Sequence, residues 1–357
     1  MVKVILYGFT VGIFSSRKLQ RACQENLAFK YLAGMETPAF KTFIEFRRRH
    51  REDMKAVFVS TVKLARALGL ARLGAVALDG CKLGANTSKH KAMSYGRMQE
   101  EERGLKAEIE GMLKKAEHPG EPIEGKKQIP FADHDARCHS KKGEGTEYVY
   151  NAQAGVDMES RIIVENHIED SVQDAHAAGP ALENMERDFG QPPEKLVADA
   201  GYGNKDTLEA CRENEVTPVC ATRREGKEGA QAGKLDSFSY ERGEDLFVCP
   251  HGQVFDSDHE RPKDGKRAYR SREVVACECS HYRTADGRGV ITVHPGHLAK
   301  REFNRIMGEA GHKELYRRRK CTVEPVFGQI EDGMGRWWRI RCFGRRSLAG
   351  WPPMLNY

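Results

Sequence analysis

Apolar side chains near the start of the chain recur mostly three and four positions apart. They run through Leu19, Ala22, Cys23, Leu27 and Tyr31, then Phe43, Phe46, Met54, Val57, Phe58, Val62, Leu64 and Leu68. That period puts them along one face of successive helices, so residues 1–72 read as a helical segment. The opening run from Met1 to Phe14 is apolar, but its single Lys3 is a thin basic region and no small-residue cleavage site follows. It is also too short to span a membrane, which leaves a buried helix. Ser15-Ser16 ahead of Arg17-Lys18 supplies a cap and turn.

The pattern changes at Gly74. Residues 74–86 form an apolar run of strand type, and residues 97–117 carry Leu105, Ile109, Met112 and Leu113 on one side of an amphipathic helix. Pro119 and Pro122 end that helix, and residues 118–145 are a polar loop. Strands near 148–156 and 161–167 follow, joined by Asp157-Met158-Glu159-Ser160 as an antiparallel hairpin. A helix near 172–188, a strand at 195–199, a helix near 204–214 and a strand at 216–222 complete a mixed α/β order. Residues 225–290 break it with scattered Gly, charges and short strand-like pieces such as Leu246-Phe247-Val248, the pattern of an inserted β-rich module. From about 298 to 333 the chain is helical and basic again. The expected division is 1–72, a catalytic-type α/β unit from 73–224 and 291–335, the insertion at 225–290, and a tail at 336–357.

Composition adds little to that picture. The 357 residues hold 58 Lys+Arg against 52 Asp+Glu, a net charge of +6 that permits nucleic-acid binding without requiring it. Charged residues at 31% and hydrophobic ones at 39% suit a soluble, cytoplasmic protein with no membrane partner. Ten cysteines spread over this length do not form a secreted disulfide framework. No Gly-x-Ser-x-Gly turn supports a Ser-His-Asp hydrolase.

Three carboxylates stand in distinctive contexts: Val76-Ala77-Leu78-Asp79-Gly80, Val197-Ala198-Asp199-Ala200-Gly201-Tyr202 and Val323-Glu324-Pro325-Val326-Phe327-Gly328. Each alone has an ordinary explanation, a turn or a first-turn acid. Brought together, they form a set of hard oxygen ligands for two Mg²⁺ or Mn²⁺ ions, the apparatus of in-line phosphodiester chemistry. Arg47, Arg48 and Arg49 lie on a predicted helix and read either as a solvated face or as phosphate contacts. Lys89, His90 and Lys91 follow Asp79 closely enough to grip DNA beside it. In the insertion, Cys249-Pro250-His251, Cys277, Cys279 and His281 offer soft ligands for Zn²⁺, though Cys-x-Cys is tighter than the usual pair spacing.

These motifs, in this order, resemble the DDE transposases of bacterial insertion sequences, whose catalytic domain has an RNase H-like fold. The likeness runs from about residue 4 to 333 and includes Phe14-Ser15-Ser16-Arg17, Phe46-Arg47-Arg48-Arg49-His50, Ala85-Asn86-Thr87-Ser88-Lys89-His90 and Tyr150-Asn151-Ala152-Gln153-Ala154. It implies that Asp79, Asp199 and Glu324 are the metal-binding triad, with Asp79 bridging the two ions. It also implies a β-rich insertion before the Glu, front helices that read terminal inverted repeats, binding to target DNA, and a homodimer on DNA.

The chain departs from that family in places. Relatives carry Tyr, Arg and Lys seven before, four before and seven after the Glu; here those positions hold Arg317, Lys320 and Glu331, with Tyr316 and Arg319 one residue early. Tyr316, Arg319 and Lys320 are the corresponding DNA-facing candidates, and Glu331 should repel a phosphate. Pro325 either follows a Glu324 that precedes the helix or bends a continuous one. After Gly335 the expected amphipathic period disappears, as a frame disruption would cause. A degenerate copy is therefore one expectation, with a catalytically silent DNA-binding protein or an RNase H-like nuclease as alternatives.

Overall fold

The computed structural model describes residues 1–85, 92–94, 128–130, 133, 135–141, 145–222, 235, 237–258, 267–274 and 278–334. The expected helix at 97–117, the basic group Lys89, His90 and Lys91, the ligand candidate Cys277 and the tail 336–357 lie outside the described residues.

The front is helical: α1 Val2–Thr10, α2 Ser16–Glu25, α3 Leu27–Leu32, α4 Phe40–Arg49 and α5 Arg51–Ala67. Its own core gathers Val4, Ile5, Phe9, Leu19, Cys23, Phe29, Phe43 and Met54, so the apolar opening is a buried helix. Gly8 lets α1 approach α2, because a Cβ there would lie 2.5 Å from the Leu19 side chain. Ser15 takes the N-cap position of α2 but makes no capping bond; the working side-chain cap is Asn26, whose Oδ1 accepts from Ala28 and Phe29 at the start of α3. At the far end α5 joins the main core through Phe58 and Val62.

A mixed sheet follows the order β4-β5-β1-β7-β8, with β6 also on β5: β1 Ala75–Gly84, β4 Arg137–Lys141, β5 Gly145–Asp157, β6 Ile163–Glu169, β7 Lys195–Ala198 and β8 Thr217–Cys220. A separate short pair is formed by β2 Ala92–Ser94 and β3 Gln128–Pro130. In the main sheet β5 runs antiparallel to β1 and β6, whereas β7 and β8 run parallel to β1. Helices α6 Ala178–Phe189 and α7 Lys205–Glu213 make the crossovers that parallel strands require. This is the RNase H-like mixed α/β arrangement that the motif order implies. Val76, Leu78, Leu196, Val197, Ala198 and Val219 are fully buried, because the inner strands are covered on both faces.

Asp157 fastens the β5–β6 turn. Its carboxylate accepts from the backbone of Arg72 and Leu73 at 3.0 and 3.1 Å, and of Glu159 and Ser160 at 2.9 Å. Burial pushes its pKa up, but these four donors outweigh that and hold it below the usual carboxylate value.

The insertion is a second antiparallel sheet, β13-β14-β12-β11-β10-β9, formed by β9 Ser239–Glu241, β10 Leu246–Val248, β11 Val254–Asp258, β12 Arg267–Val274, β13 Tyr282–Arg283 and β14 Arg288–Val293. Phe238, Phe247, Phe255, Tyr269 and Ile291 fill its small core. Two helices return to the main sheet, α8 Pro295–Gly308 and α9 His312–Met334. Pro325 lies inside α9, so Glu324 is a helical residue and does not precede the helix. Proline has no N–H to give the carbonyl of Cys321, and α9 continues in spite of that loss.

Candidate functional site

Two of the three carboxylates are brought together by strand register. Leu78 pairs with Ala198 across the parallel β1 and β7, so Asp79 and Asp199 come next to each other just where β7 ends. Beyond that point β1 continues only alongside β5, leaving a crevice at the carboxyl end of the parallel strands. Gly80 and Gly201 donate backbone N–H groups to Asp79 Oδ1 at 2.9 Å and Asp199 Oδ1 at 2.7 Å, which aims both carboxylates.

Arg319 on α9 closes over the first of them. Its Nη1 donates to Asp79 Oδ2 at 2.7 Å, with the arginine side chain 8% and the aspartate 23% exposed. Burial raises the Asp79 pKa, Arg319 and the Gly80 N–H oppose the rise, and the neighbouring Asp199 adds to it. Asp79 therefore sits where a carboxylate is poorly hydrated and draws positive charge.

Glu324 belongs to the same helix but not to this contact. It is exposed, five residues beyond Arg319, about 7.5 Å along the axis. Among the described residues, the group of three His, Cys, Asp or Glu side chains whose ligand atoms all lie within 4.8 Å of one another is Cys249, His251 and Cys279, and the acidic trio is not such a group. Tyr316 is half-buried against the main core, and Lys320 is exposed. Glu331 lies in α9.

On the opposite face of β1 lies a polar layer that sequence reasoning missed in part. Asp174 Oδ1 accepts from Lys82 Nζ at 2.7 Å and from Asn151 Nδ2 and Gln153 Nε2 at 2.9 Å. Tyr202 Oη donates to Gln153 Oε1, and burial, followed by the charges of Asp174, Asp79 and Asp199, pushes its pKa well above 10. The tyrosine is thus held as a protonated donor. Gly80 is the spacer: a Cβ there would lie 2.4 Å from Gln153 Nε2 and 2.6 Å from Asp174 Oδ1. The Asn-Ala-Gln alternation of β5 was the available signal, since residues two apart share a strand face. Asp174 and Lys82 carried none.

Farther along that face, His167 Nδ1 lies 2.9 Å from Glu165 Oε1, which also accepts from Asn184 Nδ2 at 2.9 Å. Burial lowers the His167 pKa, but Glu165 and Glu169 prevail and raise it to about 9.

The basic run of α4 divides. Arg47 turns inward: its Nη2 donates to the Phe14 carbonyl at 3.0 Å, its guanidinium lies 5.6 Å from the Phe9 ring centre, and burial lowers its pKa to about 10. It is a tie within the helical front and not an outward phosphate contact. Arg48 and Arg49 are exposed and pair with Glu45 at 2.8 Å.

In the insertion, Cys249 lies just after β10 and His251 two residues on, in the turn to β11; Cys279 comes from the loop before β13. His251 Nδ1 is 3.2 Å from Cys279 Sγ. His281, expected beside them, instead turns its Nδ1 to Thr292, accepting from the backbone N–H at 3.0 Å.

Among the described residues, no helix is long and apolar enough to cross a membrane. Comparison with curated proteins gives no match. A solved structure titled as the cryo-EM structure of a piggyBac transposase synaptic complex with hairpin DNA aligns at 10% identity over 79% of this chain and 52% of its own, with a TM-score of 0.24. This chain thus spans about half the length of that protein, and the likeness is too slight to bear on mechanism. Family models are more informative. One described as "Transposase domain (DUF772)" matches residues 1–49, the helical front. Another, described as "Transposase DDE domain", matches residues 115–351, a range that contains Asp199 and Glu324, begins after Asp79 and runs past Gly335. That second match covers more than half of the sequence, and on it the chain belongs to the transposase DDE-domain family.

Proposed function

We propose that this chain cuts and joins DNA strands at the ends of a mobile element, with Asp79, Asp199 and Glu324 as the carboxylates that hold two Mg²⁺ or Mn²⁺ ions. The observation that carries the reading is the register of β1 and β7, which sets Asp79 and Asp199 side by side at the crevice end of the parallel strands. The donor set fits a hard divalent cation: paired carboxylates, one of them poorly hydrated and already drawing a guanidinium. When bound, such ions make the attacking water or 3′-hydroxyl more acidic and stabilise the leaving alkoxide.

The chain's own residues prepare the site. Gly80 and Gly201 N–H groups fix the carboxylate orientations, and the Tyr202–Gln153–Asp174 layer stiffens the strands from behind. Arg319 pairs with Asp79 and would compete with a cation for it. Release of Arg319 and movement of α9 bring Glu324 to the pair. Arg48, Arg49 and Lys320, all exposed, meet DNA phosphates, and a homodimer holds two DNA ends.

The test uses purified full-length protein, Mg²⁺ and DNA carrying the element's own ends. Joined strands are expected. Asp79→Asn, Asp199→Asn and Glu324→Gln should each lower cleavage on the order of 10³-fold, the loss of several kcal/mol of charge stabilisation, while DNA binding is retained. Nicked but never joined DNA would point to a nuclease. Binding with no cleavage would mark a silent DNA-binding protein, which the Arg319 contact on Asp79 and the open position of Glu324 favour as the second reading.

A further inference from the structure

Cys249 is part of the insertion's core, yet it sits in a turn, and its sulfur lies within 4.8 Å of Cys279 Sγ from another loop. The turn is tight. Gly252 N–H donates to the Cys249 carbonyl at 2.9 Å, and Gly252 has φ +82°, a conformation that suits glycine. This geometry turns the His251 and Gln253 backbone N–H groups onto Cys249 Sγ, each at 3.4 Å. Donors aimed at sulfur are strengthened when that sulfur carries the negative charge of a thiolate. Across from them the His251 ring and Cys279 Sγ converge at 3.2 Å, and all three ligand atoms lie within 4.8 Å of one another.

We infer that Cys249, His251 and Cys279 bind a zinc ion that clips the β10–β11 turn to the loop before β13. Zinc takes thiolate sulfur at about 2.3 Å and imidazole nitrogen at about 2.0 Å in a tetrahedron, which sets ligand atoms about 3.6–3.8 Å apart. His251 Nδ1 and Cys279 Sγ are already 3.2 Å apart, all three atoms lie within 4.8 Å of one another, and they come from a preformed turn and one facing loop. Soft sulfur with imidazole selects zinc over magnesium, so this ion is chemically separate from any held by Asp79 and Asp199. Three protein ligands leave the fourth tetrahedral position to solvent, and the ion's role is to tie the turn to the loop. The sheet β9–β14 has a small core, and a metal staple supplies the stability that so few buried side chains give poorly.

The test starts from the full chain purified from zinc-supplemented medium. About one zinc per chain is expected by elemental analysis, released by a strong chelator with a drop in the melting temperature. Co²⁺ added to the stripped protein should give the intense thiolate-to-metal absorption that oxygen ligands do not produce. Cys249→Ser and Cys279→Ser should weaken Co²⁺ binding at least tenfold, whereas Cys138→Ser, on β4, leaves it unchanged. If a cysteine variant fails to fold, the cobalt spectrum of the unaltered chain still decides. Protein without zinc, whose stripped form takes up no Co²⁺ with a thiolate band and whose melting temperature ignores the chelator, would overturn the inference.

Discussion

Asp79 and Asp199 are held by the central sheet, whereas Cys249, His251 and Cys279 are held by two loops of the insertion. In the first case the positions come from the ladder of β1 and β7, and backbone N–H groups of Gly80 and Gly201 set the carboxylates. The strand ladder itself sets this frame, and Arg319 pairs with Asp79 within it. In the second case the turn after β10 is built locally, and Cys279 comes to it from a separate loop that packs against the insertion's core. The lesson is that one chain places ligands in two ways. A sheet can hold like charges close because its ladder opposes their repulsion, while loops need the ion itself. Removing metal should therefore cost the sheet its chemistry and the insertion its stability.

The sharpest way to break this contrast is to disturb the sheet frame without touching an acid. Gly80→Ala puts a Cβ against Gln153 and Asp174, so a loss of about 3 kcal/mol is expected, read as a lower urea midpoint. A variant within about 0.5 kcal/mol of the parent would mean that the layer behind the site is loose.

Asp157→Asn comes next. It removes a charge that accepts four backbone donors, and about 2 kcal/mol should be lost at neutral pH. Because the folded pKa of Asp157 is depressed, its contribution is present above the unfolded value and disappears as pH falls through the folded one. The parent should therefore lose stability on the acid side over a range where the Asn variant does not.

His167 has the opposite sign. Its folded pKa is raised to about 9, so the pairing with Glu165 contributes fully below the unfolded value near 6.5 and is lost as pH climbs through 9. Melting measured from pH 6 to 10 should show that decline in the parent, and His167→Gln should flatten it. An unchanged slope would remove the buried ion pair from the account. The smallest effect is expected at Arg48→Gln: stability unchanged, but a salt dependence of DNA binding shallower by about one unit. No change in that slope would take α4 out of the DNA interface.

Much of the frame was legible in the sequence because Asp79 and Asp199 follow apolar runs that form the parallel strands β1 and β7, although β1 does not turn at Gly80 but continues to Gly84 beside β5. The division of the basic run in α4 was not legible, since only the packed helices decide that Arg47 faces Phe9 while Arg48 and Arg49 turn out to Glu45. The Arg319–Asp79 contact joins residues 240 positions apart and depends on how α9 is rotated on the sheet. The same rotation leaves Glu324 exposed, so a motif that names three acids does not fix when they meet. Pro325 suggested a break, but packing of Val323 and Val326 into the main core carries α9 across it. In the insertion, the Cys-Pro-His-Gly turn was readable as a ligand source, whereas His281 was misplaced because β-strand register turned it toward Thr292.

The central claim is that Asp79 and Asp199 hold the reactive ions, and metal-directed backbone cleavage tests it most directly. Fe²⁺ is substituted for Mg²⁺ in the full chain, with the insertion's thiolates first filled with Zn²⁺, and ascorbate with peroxide then generates radicals at the bound iron. Fragments ending near residues 79 and 199 are predicted, competed away by excess Mg²⁺ and missing from the Asp79→Asn, Asp199→Asn double variant. Cuts that fall elsewhere, or that persist unchanged in the double variant, would contradict it.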